Sequence, residues 1–239
     1  MITVEGLCKA FNGNKVLDKV SFEVPAGELV ALMGLSGTGK SVLLLHIIGL
    51  MSPDAGRIVV DGTEVTGLPE SKLLVFRRKI GYLFQDSALY DFMTVGENIA
   101  FPLKEHGTLS AKGIRAKVDE HLKLVDLDGA FDKYPSELSG GMRKRAALAR
   151  ALVMEVKVLL CDEPTSGLDP IRSRDISLLI RDLSKKTGCT TIVTSHDAVN
   201  AFRIADRAFV LNEGRLAAQG SERDIRSSRD PFIMDFFKG

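Results

Sequence analysis

The run Gly34-Leu35-Ser36-Gly37-Thr38-Gly39-Lys40-Ser41 has the spacing G-x-x-x-x-G-K-[ST]. The chemistry this spacing serves is phosphate binding. Its glycines let the backbone wrap close to an anion and aim several N–H groups inward. An apolar run, Leu29–Met33, precedes the loop, and an apolar helical run, Lys40–Leu50, follows it. The loop therefore opens onto a helix N-terminus, whose partial positive charge favours anions. Lys40 is placed to reach the β- and γ-phosphates of ATP, and the Ser41 hydroxyl to hold Mg²⁺. With Val42 in the first turn, residues 34–42 form the expected nucleotide-contacting stretch. A second run, Val158-Leu159-Leu160-Cys161-Asp162-Glu163, is an apolar strand ending in two carboxylates. At the C-terminal edge of a parallel sheet such acids lie beside a phosphate loop. Asp162 is the candidate Mg²⁺ ligand, and Glu163, free of that duty, is the candidate base that polarises the attacking water.

Those residues need a scaffold of strands and helices, and the pattern supplies one. Short apolar runs at Ile2–Leu7, Val20–Val24 and Leu29–Met33 read as strands. Arg57–Val60 is another, ended by the hairpin signal Asp61-Gly62. Ser71–Arg78 reads as a helix and Ile80–Phe84 as a buried strand. From Asp86 to Lys157 strand patterns give way to helical periods at Val95–Phe101, Ala111–Leu124 and Gly140–Val153. Strands and helices then alternate again: Val158–Cys161, Ile171–Lys186, Thr190–Thr194, Ala198–Ile204, Ala208–Leu211 and Leu216–Ala218. Such alternation implies an α/β fold with a mainly parallel sheet covered by helices. The chain divides on this reading into a nucleotide-binding core, 1–85 and 158–220, a helical insertion, 86–157, and a tail, 221–239. The tail reads as two short helices broken at Asp230-Pro231.

The net charge of +1 gives no bulk attraction for nucleic acid or an anionic membrane. The clusters Arg77-Arg78-Lys79 and Arg143-Lys144-Arg145 read as solvated helix faces without a site role. Cys8, Cys161 and Cys189 are an odd set at irregular spacing, so reduced thiols are expected rather than a disulfide framework. The N-terminus lacks the charged-then-apolar pattern of a signal peptide. The longest apolar run, Val42–Met51, is broken by His46 and Gly49 and is too short to span a bilayer. His46, His106 and His121 have no motif context.

Leu138-Ser139-Gly140-Gly141-Met142 stands just before a long helical period. The Ser139 hydroxyl, the Gly140 and Gly141 amides and a helix N-terminus make a second anion site, although a plain Ser cap has the same residues. With this motif between the two already described, the chain resembles the ABC ATPase family over nearly its whole length. Met142 stands where the family signature LSGGQ has Gln. The resemblance implies a RecA-like P-loop NTPase core, an N-terminal antiparallel β subdomain and a helical insertion. It implies that the two phosphate-recognising ends belong to opposite subunits of a homodimer, each ATP lying between one P-loop and the partner's signature. It further implies that Phe11 stacks on adenine and that Gln85 senses Mg²⁺ and water. Ser166-Gly167-Leu168-Asp169 then crosses the dimer interface at the nucleotide, and His196 contacts the γ-phosphate.

The stretch Phe84 to His106, the Met142 signature followed by Arg143 to Arg150, and the end from Ala218 to Gly239 are similar to ATPases of Mla/MCE lipid-transport systems. That similarity implies a phospholipid passenger, MlaE-like permease subunits, an MCE-domain lipid-binding protein and a small STAS-domain regulator. It also implies a cytoplasmic location, peripheral on the inner membrane, with 86–101 receiving a permease helix. The apolar stretch Leu89-Tyr90-Asp91-Phe92-Met93 agrees with a partner contact. The same motifs serve ATPases of polar-solute importers, of lipoprotein or drug exporters, and of iron–sulfur assembly.

Overall fold

A computed structural model describes residues 1–107 and 109–237; Lys238 and Gly239, the end of the expected tail, lie outside the described residues. The chain runs β1 (Ile2–Phe11), β2 (Asn14–Val24), β3 (Leu29–Met33), α1 (Lys40–Ile47), β4 (Ala55–Val60), β5 (Thr63–Glu64), α2 (Glu70–Arg77) and β6 (Ile80–Leu83). Three helices follow, α3 (Val95–His106), α4 (Ala111–Leu124) and α5 (Gly140–Leu152). Then come β7 (Val158–Cys161), α6 (Pro170–Thr187), β8 (Thr190–Ser195), α7 (Ala198–Ile204), β9 (Arg207–Asn212), β10 (Arg215–Gly220), α8 (Glu222–Arg226) and α9 (Pro231–Phe236).

Two sheets result. One is four-stranded and antiparallel, ordered β2-β1-β4-β5. The other is six-stranded, ordered β10-β9-β3-β8-β7-β6, and parallel except for the β9–β10 hairpin. The pairs Asn12-Gly13, Asp61-Gly62 and Glu213-Gly214 all have positive φ at both residues. That is the backbone of the two-residue turn whose twist suits a hairpin. The first of these turns makes β2 begin at Asn14 rather than Val20, because its early residues pair with the end of β1.

Every residue of β3 is buried, as a central strand covered on both faces requires. One core lies between the antiparallel sheet, α1 and the parallel sheet, with Leu7, Leu17, Leu44 and Phe209 fully buried. A second joins α3, α4, α5 and α6 to the other face. Helix α5 packs tightly on β6: a Cβ on Gly81 would meet the Ala151 carbonyl oxygen at 2.4 Å. Helix α3 continues past the expected end at Phe101, through Pro102 to His106. Proline there removes one N–H but cannot stop a helix held by a complete capping box at Thr94 and Glu97 and by an apolar face in the core.

The tail folds back on its own chain. Ile233 is buried against β3, β9 and α7, and the Phe237 ring stacks on Phe202 at 5.8 Å with the Arg226 guanidinium over it. No helix among the described residues is long and apolar enough to cross a membrane.

Candidate active site

The loop between β3 and α1 is shaped by absent side chains. At Gly34, with φ 154°, a Cβ would fall 2.4 Å from the Leu211 carbonyl oxygen; at Gly39, with φ 100°, it would fall 2.9 Å from that of Val16. The Thr38 hydroxyl donates to the Leu35 carbonyl at 2.9 Å and closes the turn. Leu35, Ser36 and Gly37 are exposed at its rim. No side chain caps the N-terminus of α1, so its first N–H groups face the loop.

Lys40 is buried beneath this loop. Its Nζ donates to the carbonyl oxygens of Gly34 and Leu35 at 2.9 and 3.0 Å and pairs with Glu163 Oε1 at 3.3 Å. The ammonium is thus held by two carbonyl hydrogen bonds and one ion pair. Ser41, the next residue, donates its hydroxyl to Asp162 Oδ1 at 2.9 Å, and Val42 is half-buried behind it. Two hard oxygen donors this close fit a small dication that also takes phosphate oxygens and water.

Asp162 lies just past β7 and is the most heavily bonded carboxylate of the site. Thr194 Oγ1 donates to its Oδ1 at 2.9 Å and the Tyr82 hydroxyl to its Oδ2 at 3.2 Å. Burial, and then the Asp162 charge, push the Tyr82 hydroxyl far above its ordinary range, so it stays a donor. Neither Tyr82 nor Thr194 stood out in the sequence. Both sit near the C-terminal ends of strands flanking β7, and polar groups at that edge were the available signal.

Glu163 follows with a left-handed backbone, φ 40°, a conformation that costs a residue with a Cβ about 1–2 kcal/mol. Its N–H donates to Thr194 Oγ1 at 2.8 Å, which holds it there. Its carboxylate lies between Lys40 and His196, whose Nδ1 is 3.2 Å from Oε2. Lys40, Ser41, Asp162, Glu163 and His196 thus form one continuous chain of contacts.

Gln85 is exposed just past β6, and its Nε2 donates to Ser166 Oγ at 3.2 Å, so the two loops meet. Asp169 caps α6, accepting from the N–H groups of Ile171 and Arg172 at 3.1 and 3.0 Å. Those bonds, that from Arg172 foremost, hold its carboxyl below the usual range. Phe11 ends β1 with its ring 41% exposed, open to a stacking partner.

Ser139, Gly140 and Gly141 lie elsewhere. Ser139 is exposed and caps α5 through the Met142 N–H at 3.4 Å. With Arg145, Arg172 and Asp175 nearby, Ser139 and Gly141 line a hollow of about 120 Å³. Among the described residues no hydrogen bond or ion pair joins the 139–141 turn to the P-loop.

Of the two basic clusters, Arg78, Lys79 and Arg143 are exposed as expected, whereas Lys144 and Arg77 depart from a solvated face. Lys144 is only 5% exposed and donates to the Gln85 carbonyl oxygen. Burial lowers its pKa, against the pull of Asp86, Asp162 and Glu163. It turns inward because Gly141, Lys144 and Leu148 share one buried face of α5. Arg77 ties α2 to the end of α1 through the carbonyls of Ile48 and Gly49. His46 and His121 are buried and bond the carbonyls of Val42 and Lys117, one turn back.

On the far side of β6 a groove of about 530 Å³ runs between α2 and α3, lined by Leu74, Phe84, Tyr90, Phe101, His106 and Met154 among others. Phe92, beside Tyr90, is 75% exposed.

Comparison with known proteins gives this arrangement a family. The ABC transporter profile matches residues 17–166. The probable ribonucleotide transport ATP-binding protein mkl of Mycobacterium leprae (strain TN) is 42% identical over 100% of this chain and 69% of its own length. The intermembrane phospholipid transport system ATP-binding protein MlaF of Escherichia coli (strain K12) is 40% identical over 95% of this chain and 85% of its own. A dimeric ATP-binding cassette solved in a post-hydrolysis state, bound to ADP and Pi, aligns with a TM-score of 0.85 at 31% identity, covering 92% of this chain and 98% of that one. Cassettes of this kind dimerise and work with transmembrane components. The chain belongs to the ABC transporter family, as one of its ATP-binding and ATP-hydrolysing subunits.

Proposed function

We propose that two copies of this chain close over two ATP molecules and that hydrolysis reopens them, driving a membrane permease that moves phospholipid. The observation that carries the dimer is the separation of two anion-facing helix ends: the P-loop with its acids at one place, and the Ser139 turn, unjoined to it, at another. A second copy brings its Ser139, Gly140 and Gly141 to the phosphates held by Lys40 and residues 34–42. Closure is then linked to ATP by mass action.

Within each half-site Lys40 takes the β- and γ-phosphates, exchanging its bond to Glu163 for bonds to phosphate oxygens. The Glu163 carboxylate, released on that side and still oriented by His196, accepts a proton from the attacking water. Ser41 and Asp162, with Gln85, hold Mg²⁺, which supplies charge neutralisation on the phosphates. Phe11 stacks on the adenine, and Asp169 lies at the closed interface.

The phospholipid reading rests on the 40% identity to MlaF across 85% of that protein and on the 84–106 and 142–150 segments. It brings MlaE-like permease subunits, an MCE-domain protein, a STAS-domain regulator and a place on the cytoplasmic face of the inner membrane. The chain spans about two thirds of the length of the mycobacterial relatives, and their description as probable ribonucleotide transport ATP-binding proteins favours a polar solute as the second reading.

Two variants test the composite site. Glu163→Gln should lower kcat about 10²–10⁴-fold and leave an ATP-bound dimer on size-exclusion chromatography. Ser139→Arg should bind nucleotide as a monomer and form no ATP-dependent dimer. ATP-driven dimers of Ser139→Arg overturn the reading. Co-purification with a solute-binding protein in place of an MCE-domain protein overturns the phospholipid assignment.

A further inference from the structure

Helix α5 carries three sets of contacts along one rod. Its N-terminus is the Ser139-Gly140-Gly141 turn. One turn on, roughly 6 Å along the axis, buried Lys144 donates to the backbone carbonyl of Gln85. Two turns further, the Arg150 guanidinium donates to the carbonyls of Ser87 and Ala88 at 2.9 and 2.6 Å. Both of those loop residues have left-handed backbones, φ 65° and 48°, which leaves their carbonyls turned toward the helix. The rod itself is fixed: Ala146, Ala147, Leu148 and Ala149 are buried, and Gly81 lets it lie directly on β6.

We propose that Lys144 is a positioning residue for hydrolysis, tying Gln85 to the anion-binding helix so that ATP gripped by the Ser139 turn sets the glutamine of the opposite site. This rests on the composite dimer proposed above. In that dimer one end of α5 belongs to one ATP and the Gln85 side chain to the other. A displacement of the α5 N-terminus by a phosphate is carried to Gln85 through a single buried ammonium. Gln85 is otherwise exposed, and its side chain is held only by Ser166 Oγ at 3.2 Å among the described contacts.

The test compares Lys144→Met, which keeps the unbranched apolar stem and removes the ammonium, with Lys144→Arg, which keeps a donor. Steady-state ATPase activity and the affinity for a fluorescent ATP analogue are measured on the full chain, each variant also in a Gln85→Ala background. Lys144→Met should lose kcat about 10- to 100-fold, the cost of a misplaced group. Its Hill coefficient for ATP should fall from about 2 toward 1, while analogue affinity stays within about twofold. Lys144→Arg should restore kcat and cooperativity, and in the Gln85→Ala background Lys144→Met should cost nothing further. Three results overturn the inference while leaving the composite dimer intact. They are wild-type kcat and cooperativity in Lys144→Met, equal loss of analogue affinity and kcat in both variants, and an undiminished Lys144→Met effect without Gln85. A wild-type chain that hydrolyses ATP at full rate as a strict monomer removes the composite dimer and this inference with it.

Discussion

Two glycines of the phosphate loop separate by structure what the motif groups together. Gly34 and Gly37 both have positive φ, 154° and 80°. A Cβ on Gly37 meets nothing within 4 Å, whereas one on Gly34 falls 2.4 Å from the Leu211 carbonyl and 2.8 Å from Thr38 Oγ1. The Leu211 oxygen belongs to β9, paired on both sides by β3 and β10, so it cannot yield the ångström that ordinary contact needs. For Gly37→Ala the backbone cost of about 1–2 kcal/mol is partly offset by about 0.4–1 kcal/mol from a stiffer unfolded chain, leaving about 1 kcal/mol. For Gly34→Ala a backbone cost of about 1–3 kcal/mol adds to about 1–3 kcal/mol of overpacking, less the same unfolded-chain offset, for a net of about 3 kcal/mol. At a urea slope of about 2–3 kcal/mol per molar, the two midpoints should differ by about 1 M, with Gly34→Ala lower. The assay is urea unfolding followed by far-UV circular dichroism without nucleotide. Equal midpoints, or a lower midpoint for Gly37→Ala, would show that contact with Leu211 does not set the loop.

Two further outcomes are expected. His46 is buried and burial foremost lowers its pKa, so the unfolded chain binds the proton more readily. Its contribution is complete above about pH 6.5 and is lost as pH falls through the folded value, at no more than about 1.4 kcal/mol per pH unit. His46→Leu should flatten the loss of unfolding free energy between pH 7 and 5, and an unchanged slope would remove His46 as its source. Phe92→Asp, at a ring 75% exposed beside the aromatic groove, should leave ATP affinity unchanged and cut permease co-purification at least about tenfold. Wild-type recovery of the permease would place its docking elsewhere.

The phosphate loop and the Asp162-Glu163 pair were legible because their chemistry is local. Close approach to phosphate demands glycine at fixed steps, and a strand end delivers two adjacent acids to one edge. The parallel sheet followed from apolar runs such as Leu29–Met33, which only a strand buried on both faces tolerates. Tyr82 and Thr194 were illegible for the opposite reason. Each looks like an ordinary strand residue, and only the order of strands, β8-β7-β6, brings their hydroxyls to Asp162. Lys144 was misread because charge runs usually face water. Its direction is set by the helical phase of Gly141 and Leu148 and by a loop carbonyl 59 residues away. Pro102 misled in the same way: proline disfavours helix locally, while capping and core contacts at the start of α3 decide the matter.

The position of Glu163 argues for an order of events on the proposed reading. The Glu163 carboxylate is paired with Lys40 at 3.3 Å, so one of its oxygens faces the ammonium instead of a water. Phosphate competes for the same ammonium, with a charge greater than that of one carboxylate. Phosphate binding therefore frees the Glu163 oxygen that the ammonium held. The strained backbone at Glu163, anchored by Thr194, keeps the freed carboxylate beside His196 instead of letting it follow the lysine. A single lysine thus links occupancy to activation. Lys40→Ala, which frees Glu163 permanently, should still yield no hydrolysis, because the phosphate that the base must act upon is no longer held.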